Sequence, residues 1–194
     1  MITSAATLKR REALAALLTD PSEDVRSAAA EALERLEGIG SLQEVLDALK
    51  KGDRGTKIKA LYALGRIGGE EVLPPLLYCA ARPEEDIRSV AVDVLGMLAD
   101  PRARTVLLER LKELGTGIRA KAIAALGNLR DPSLVAELSP FLDAGDGLLD
   151  AEAITALARI GDGSQEERFI AMLESPHEET RRAAAAALGV LRIR

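Results

Sequence analysis

The chain repeats itself every 31 residues. The leucine of Glu31-Ala32-Leu33-Glu34 recurs at Leu64, Leu95, Leu126, Leu157 and Leu188, in five equal steps with no insertion or deletion. Four residues before it stand Ala29, Ala60, Ala91, Ala122, Ala153 and Ala184, and one before it Ala32, Ala63, Val94, Ala125, Ala156 and Ala187. Three after it come Leu36, Ile67, Leu98, Leu129, Ile160 and Leu191, and eight before it Val25, Thr56, Ile87, Ile118, Leu149 and Thr180. A fixed period of this size is the signature of a stacked-repeat architecture and governs the reading of every shorter element. These positions fall on one face of an α-helix. Alanine at the centre of that face lets a neighbouring helix come close.

A second stripe precedes the first. Leu14, Val45, Leu76, Leu107, Leu138 and Phe169 stand nineteen residues before the leucine, and Leu18, Leu49, Ala80, Leu111, Leu142 and Leu173 fifteen before it. Breakers separate the two helices of a repeat: Asp20-Pro21, Gly52, Arg82-Pro83, Gly115, Gly145 and Ser175-Pro176. Others separate the repeats: Gly38, Gly68-Gly69, Asp100-Pro101, Asp131-Pro132 and Gly161-Asp162. Asp followed by Pro supplies a cap and a first helical turn. One helical pair cannot bury both of its apolar faces, whereas a stack of pairs can. The expected fold is therefore all-α: an α–α superhelix, or solenoid, of six two-helix repeats and about twelve helices. It forms one array over 1–194, with repeats at 7–38, 39–69, 70–100, 101–131, 132–162 and 163–194.

Composition narrows the function. Aromatics are 2% of the residues and tryptophan is absent, so the core is built from small aliphatic side chains. With 26 Lys+Arg against 31 Asp+Glu the net charge is −5, which argues against bulk attraction to nucleic acid or an anionic membrane. The lone cysteine, Cys79, can form no disulfide within the chain, which fits a reducing compartment. The first ten residues, Met1 to Arg10, lack a charged segment leading into an apolar one, and the longest uncharged apolar stretch, Ala183 to Leu191, is too short to span a bilayer. A cytoplasmic protein is expected.

Specific segments point to a family. Ile118-Arg119-Ala120-Lys121-Ala122-Ile123-Ala124-Ala125-Leu126-Gly127-Asn128-Leu129 has counterparts from Ile87 to Gly96 and from Thr180 to Gly189, and Glu71 to Leu77 forms the matching first helix. The tetratricopeptide pattern wants Trp and large aromatics, and ankyrin repeats a Thr-Pro-Leu-His start; neither is present. Over its whole length the chain resembles the short HEAT-like repeats of the phycobilisome-lyase type. That resemblance implies the solenoid fold. It also implies a range of roles, from non-catalytic adaptor to, as the alternative, a phycobilin-lyase-like or chromophore-handling subunit acting with a partner. Two positions depart from the pattern: Asp150 replaces the basic residue of the fifth repeat, and Glu34 replaces glycine in the first.

No constellation of catalytic groups emerges. His177, the only histidine, has no second His or Cys to complete a metal site and reads as a solvated turn residue. Cys79 lies beside the apolar stripe, in a column with Leu17, Ala48, Phe141 and Met172, and reads as a half-buried structural thiol. Asp143 to Glu152 resembles a calcium loop but lacks the alternating ligands, and Gly52 to Lys57 lacks the spacing of a phosphate loop. The basic column Arg26, Lys57, Arg88, Arg119 and Arg181 reads as a ladder of inter-repeat braces, to carbonyls or acids of the adjacent unit, such as Asp24 or Asp86. A nucleic-acid groove would also want stacking aromatics. No catalytic, metal-binding or cofactor-binding residue is expected.

The resemblance implies that the second helices line the concave, partner-facing side. There the middle repeats place Ile58, Tyr62, Val90 and Met97 off the core face, surrounded by Lys59, Arg66, Asp93, Lys121, Asn128 and Arg159. An apolar centre with a polar rim that includes Tyr, Met and Arg is the composition of a protein–protein patch. The expected partner is a protein, with no nucleic acid and no membrane. The C-terminal repeat, from Arg181 to Arg194, has no strongly polar outer face. Either that end packs on another molecule, self-association included, or an alanine-rich cap is tolerated.

Overall fold

A computed structural model describes residues 5–161 and 163–191. Nothing is described of the side chains at 34–41, so the expectations for Glu34 and Leu36, like those for Asp162 and the residues from Arg192 to Arg194, lie outside the described residues. Among the described residues there are eleven α-helices and no strand. They run α1 Ala5–Ala16, α2 Glu23–Lys51, α3 Arg54–Ile67, α4 Leu73–Ala80, α5 Glu85–Leu98, α6 Arg104–Arg110, α7 Thr116–Asn128, α8 Val135–Leu138, α9 Leu149–Ile160, α10 Glu166–Ala171 and α11 Glu178–Val190. Single 3₁₀ turns begin or extend the first helices of repeats, as at Pro101–Ala103 before α6 and Ser139–Asp143 after α8.

Two of the expected twelve helices run on as one. α2 is 29 residues long and carries the second helix of the first repeat into the first helix of the second, straight through Gly38. The reason lies in how the other second helices stop. Four residues after the leucine column stand Gly68, Ala99, Arg130 and Gly161, and all four adopt positive φ, at 65°, 51°, 52° and 80°. The two glycines do so freely. Ala99 and Arg130 are each followed by Asp-Pro, and a proline cannot continue the helix. In the first repeat the same positions hold Glu37 and, two residues on, Ile39, so neither stop signal is present. Gly38 and Gly40 each cost the helix only about 1 kcal/mol and do not end it.

The chain divides after Ile67 into two compact bodies. In the first, α2 packs against α1 and α3, and Ala29, Ala60, Leu61 and Leu64 are buried. Leu17 and Leu18 are exposed, although the pattern makes Leu18 a core residue. In the second body, α5 packs on α7, α7 on α9, and α9 on α11, while α4, α6, the α8 segment and α10 cover one side of that row. Here the columns hold more closely, although Leu173, in the column of Leu18, is exposed. Leu76, Leu107, Leu138 and Phe169 are fully buried, as are Leu95, Leu126 and Leu157. Cys79 is buried in the same core, deeper than half-buried as expected.

The alanine column does what small residues imply. A Cβ added to Gly127 would lie 2.6 Å from Ala156 Cα and Cβ, and one added to Gly96 would lie 2.8 Å from Ala125 Cβ. α5 and α7, and α7 and α9, therefore meet almost backbone to backbone.

Three members of the basic column, Arg26, Arg88 and Arg181, prove to clamp turns of their own repeat, rather than serving only as braces between repeats. Arg26 Nη1 donates to the carbonyls of Asp20 and Pro21 (2.7 and 3.0 Å), Arg88 Nη1 to those of Arg82 and Pro83 (2.7 and 2.8 Å), and Arg181 Nη1 to those of Ser175 and Pro176 (2.7 and 3.0 Å). All three turns contain Xaa-Pro. Proline fixes the turn, and the two outward carbonyls face the arginine five and six residues on. Arg88 also reaches the following repeat, where Nη2 donates to Glu113 Oε2 at 2.8 Å. Glu113 keeps a second partner in Arg110, at 2.9 Å. Arg88→Met is therefore expected to lower stability by about 1.5–3 kcal/mol, the range for hydrogen bonds to a charged group. Urea denaturation checks this, and an unchanged midpoint would rule the clamp out as a stabilising element.

The fifth repeat lacks the arginine, and a neighbour supplies the bond instead. His177 is not simply solvated: it is half-buried, with Nε2 at 3.1 Å from the Gly145 carbonyl oxygen. Its ring also occupies the space into which a Cβ on Gly147 would project, and Gly147 has a φ of 79°. The calcium-like run resolves into a helix start. Asp146 Oδ1 accepts from the amides of Leu148 (3.0 Å) and Leu149 (2.7 Å). At the Asp-Pro junctions Asp100 and Asp131 accept from the amides two residues on, both at 2.9 Å. Hydrogen bonds, led by those from Arg102 and Ser133 respectively, hold both carboxyls below the usual carboxylate range.

Candidate partner-binding surface

Each expected contact residue sits on a second helix, and its place follows from helical spacing. On α3, Lys59, Tyr62 and Arg66 follow one another at intervals of three and four, with Ile58 beside them. Lys59, Tyr62 and Arg66 are exposed, Tyr62 to 42%, while Ile58 is half-buried. On α5, Val90, Asp93 and Met97 share a face. Val90 and Asp93 are half-buried and Met97 is 69% exposed.

The polar residues of the second body are tied together. Lys121 Nζ on α7 donates to Asp93 Oδ2 on α5 at 2.6 Å. Asn128 Nδ2 donates to the Gly96 carbonyl at 3.0 Å, and Arg159 Nη1 on α9 donates to Asn128 Oδ1 at 3.0 Å. The Gly96 carbonyl belongs to the last turn of α5, where carbonyls have no partner further along their own helix. Asn128 thus caps α5 from the next repeat, and Arg159 orients Asn128. Asp93, Lys121, Asn128 and Arg159 form a ladder across three helices rather than a set of unengaged rim residues. What the ladder presents is a stiff polar track with Met97 projecting beside it.

Burial also perturbs one acid on this row of helices. Glu152, half-buried on α9, has its carboxyl pushed above the usual range by desolvation, with Arg159 and Arg182 pulling the other way.

Two features lay beyond the expected surface. Tyr78 on α4 is well exposed, and the Arg82 guanidinium lies over its ring (5.4 Å to the centroid) while donating to its hydroxyl at 2.8 Å. Asp150, visible in the sequence only as a departure from the basic column, is buried at the head of α9. The column signalled the exception without signalling its burial.

Residues 42–127 match the family described as HEAT repeats, and residues 11–37 match the family described as HEAT repeat. No curated protein matches the chain. Among solved structures, the crystal structure of an engineered protein superposes with a TM-score of 0.57 at 20% identity, covering 93% of this chain and 96% of that one. A designed armadillo repeat protein, solved in complex with the peptide (KR)4, also has a TM-score of 0.57, at 17% identity, covering 97% of this chain and all of its own. The fold is thus an all-α HEAT/armadillo-like repeat solenoid. Among the described residues no helix is long and apolar enough to cross a membrane.

Proposed function

We propose that the chain is a non-catalytic scaffold that binds a protein partner through the outward stripe of its second helices. The observation that carries this reading is Met97: a 69% exposed apolar side chain beside a polar ladder already fixed by inter-helix bonds. A surface whose polar groups are positioned in advance loses little conformational freedom on binding. An exposed methionine supplies adaptable apolar contact area. Tyr62 offers the same kind of anchor on α3, since aromatic residues are enriched among those that dominate interface energies.

The test is affinity capture from source-cell lysate, followed by titration of the captured protein against native chain, Tyr62→Ala and Met97→Ala. Truncating a dominant contact should weaken binding by about 1–3 kcal/mol with the unfolding midpoint unchanged. Folded variants that bind as tightly as the native chain would eliminate this stripe as the binding site.

A further inference from the structure

The repeat register brings out a cavity whose chemistry is the reverse of its counterpart. In the third repeat the Arg88 guanidinium is received by the carbonyls of Arg82 and Pro83 and by the carboxylate of Glu113. Two periods on, the equivalent positions are Asp150, Ala144, Gly145 and Ser175. The cation of the clamp is replaced by an acid, and the clamp's own acid by a short serine. What results is a cavity of about 350 Å³ lined by Leu142, Asp143, Asp150, Arg168, Ser175 and Thr180, among others.

Two lining groups are buried and under-used. Asp150 is 3% exposed, and its carboxylate accepts one bond, from the Ala151 amide at 2.9 Å. Thr180, which stands where Ile118 does in the fourth repeat, is 1% exposed, and its hydroxyl has no hydrogen-bond partner. Burying an acid with no cation and a hydroxyl with no partner costs free energy that a ligand would recover. The neighbouring cationic and imidazole groups are committed elsewhere. Arg168 bonds to Asp143 (2.8 Å) and Gln165 (3.1 Å), Arg181 clamps the Ser175 and Pro176 carbonyls, and His177 holds the Gly145 carbonyl. Glu174, also on the wall, adds negative charge. The acids do not converge on a point: no group of three His, Cys, Asp or Glu side chains among the described residues could hold a metal ion.

We infer that this cavity receives a guanidinium group, with Asp150 as its carboxylate anchor and the Thr180 hydroxyl as a further acceptor. The register gives the reason for guanidinium rather than ammonium. The corresponding space in the third repeat already seats a guanidinium, and this planar group offers several donors in a fixed fork to acceptors spread around a wall. No residue of the proposed partner-binding stripe takes part, so the inference stands apart from that reading.

Calorimetric titration at low salt tests it with two probes: agmatine, and a short neutral peptide with one central arginine. Putrescine, which carries an ammonium where agmatine has its guanidinium, is the control. Saturable binding of agmatine, of the peptide or of both is expected, about tenfold or more tighter than putrescine. Binding of agmatine alone would identify a small-molecule ligand, and binding of the peptide alone an arginine side chain. Asp150→Asn should weaken binding at least about tenfold, as loss of the charged anchor implies. Thr180→Val should weaken it several-fold. Asp150→Arg rebuilds the clamp, should fold at least as stably as the native chain, and should abolish binding; it carries the test if Asp150→Asn fails to fold. The inference is overturned by three results: no saturable binding of either probe, putrescine binding as tightly, or affinity undiminished in the folded Asp150 variants.

Discussion

Phe169→Ala should destabilise the second body by about 3–5 kcal/mol, the range for truncating a fully buried aromatic. Phe169 is 0% exposed and is the largest fully buried side chain among the described residues. It sits on the six-residue α10, a helix too short to hold its shape through its own hydrogen bonds. Its order comes from packing, and the phenyl ring supplies much of that packing. With aromatics at 2% of the chain, no neighbouring ring can swing in to fill the space, and small aliphatic side chains collapse poorly around so large a hole. Urea denaturation followed by circular dichroism measures the loss. A change below about 1 kcal/mol would mean that the site relaxes freely and that the sixth repeat is not organised around this residue.

Gly127→Val should be nearly as damaging, at about 3 kcal/mol, for the opposite reason of overfilling. The new Cβ would sit 2.6 Å from both Cα and Cβ of Ala156, and backbone cannot step aside as a flexible side chain can. α7 and α9 must separate, which also pulls at the 3.0 Å bond between Asn128 and Arg159. Gly117→Ala is the matched control on the same helix. Its Cβ meets nothing within 4 Å, so the exchange should be neutral or stabilising by about 0.5–1 kcal/mol. Equal urea midpoints for Gly127→Val and the native chain would show that the close approach of these helices carries no energetic weight.

The legibility of this fold came from redundancy. One leucine at an interval of 31 could be chance, whereas Leu95, Leu126 and Leu157 in register with Ala91, Ala122 and Ala153 could not, and all six are buried. The failures lie where a single residue decides the outcome. Gly38 looked like a boundary because glycine breaks helices. The residues that stop the second helices are those four past the leucine, glycine in two repeats and a residue followed by Asp-Pro in two others, and the first repeat has neither. Leu18 fits the core pattern yet is exposed, because periodicity specifies which face is apolar without specifying that something covers it.

The expected contact surface was legible in composition and not in its bonding. Asn128 reads as an ordinary polar surface residue until the carbonyl it caps, 32 residues earlier on another helix, is brought beside it. The clamps were half visible. The basic column was plain in the sequence, but the carbonyls it meets belong to its own repeat's turns and not to the adjacent repeat.

The uneven distribution of those clamps has a mechanical consequence. The corners at Pro21, Pro83 and Pro176 are cross-braced by a guanidinium, so each bends as a fixed angle. The corner at Gly145 is held instead by an imidazole reached from the following repeat, so its angle follows that neighbour's position. In the second body the stiff elbows at Pro83 and Pro176 thus lie on either side of the compliant corner at Gly145. A load on this body would be absorbed between those two elbows, and strain energy would collect there before either braced corner yielded.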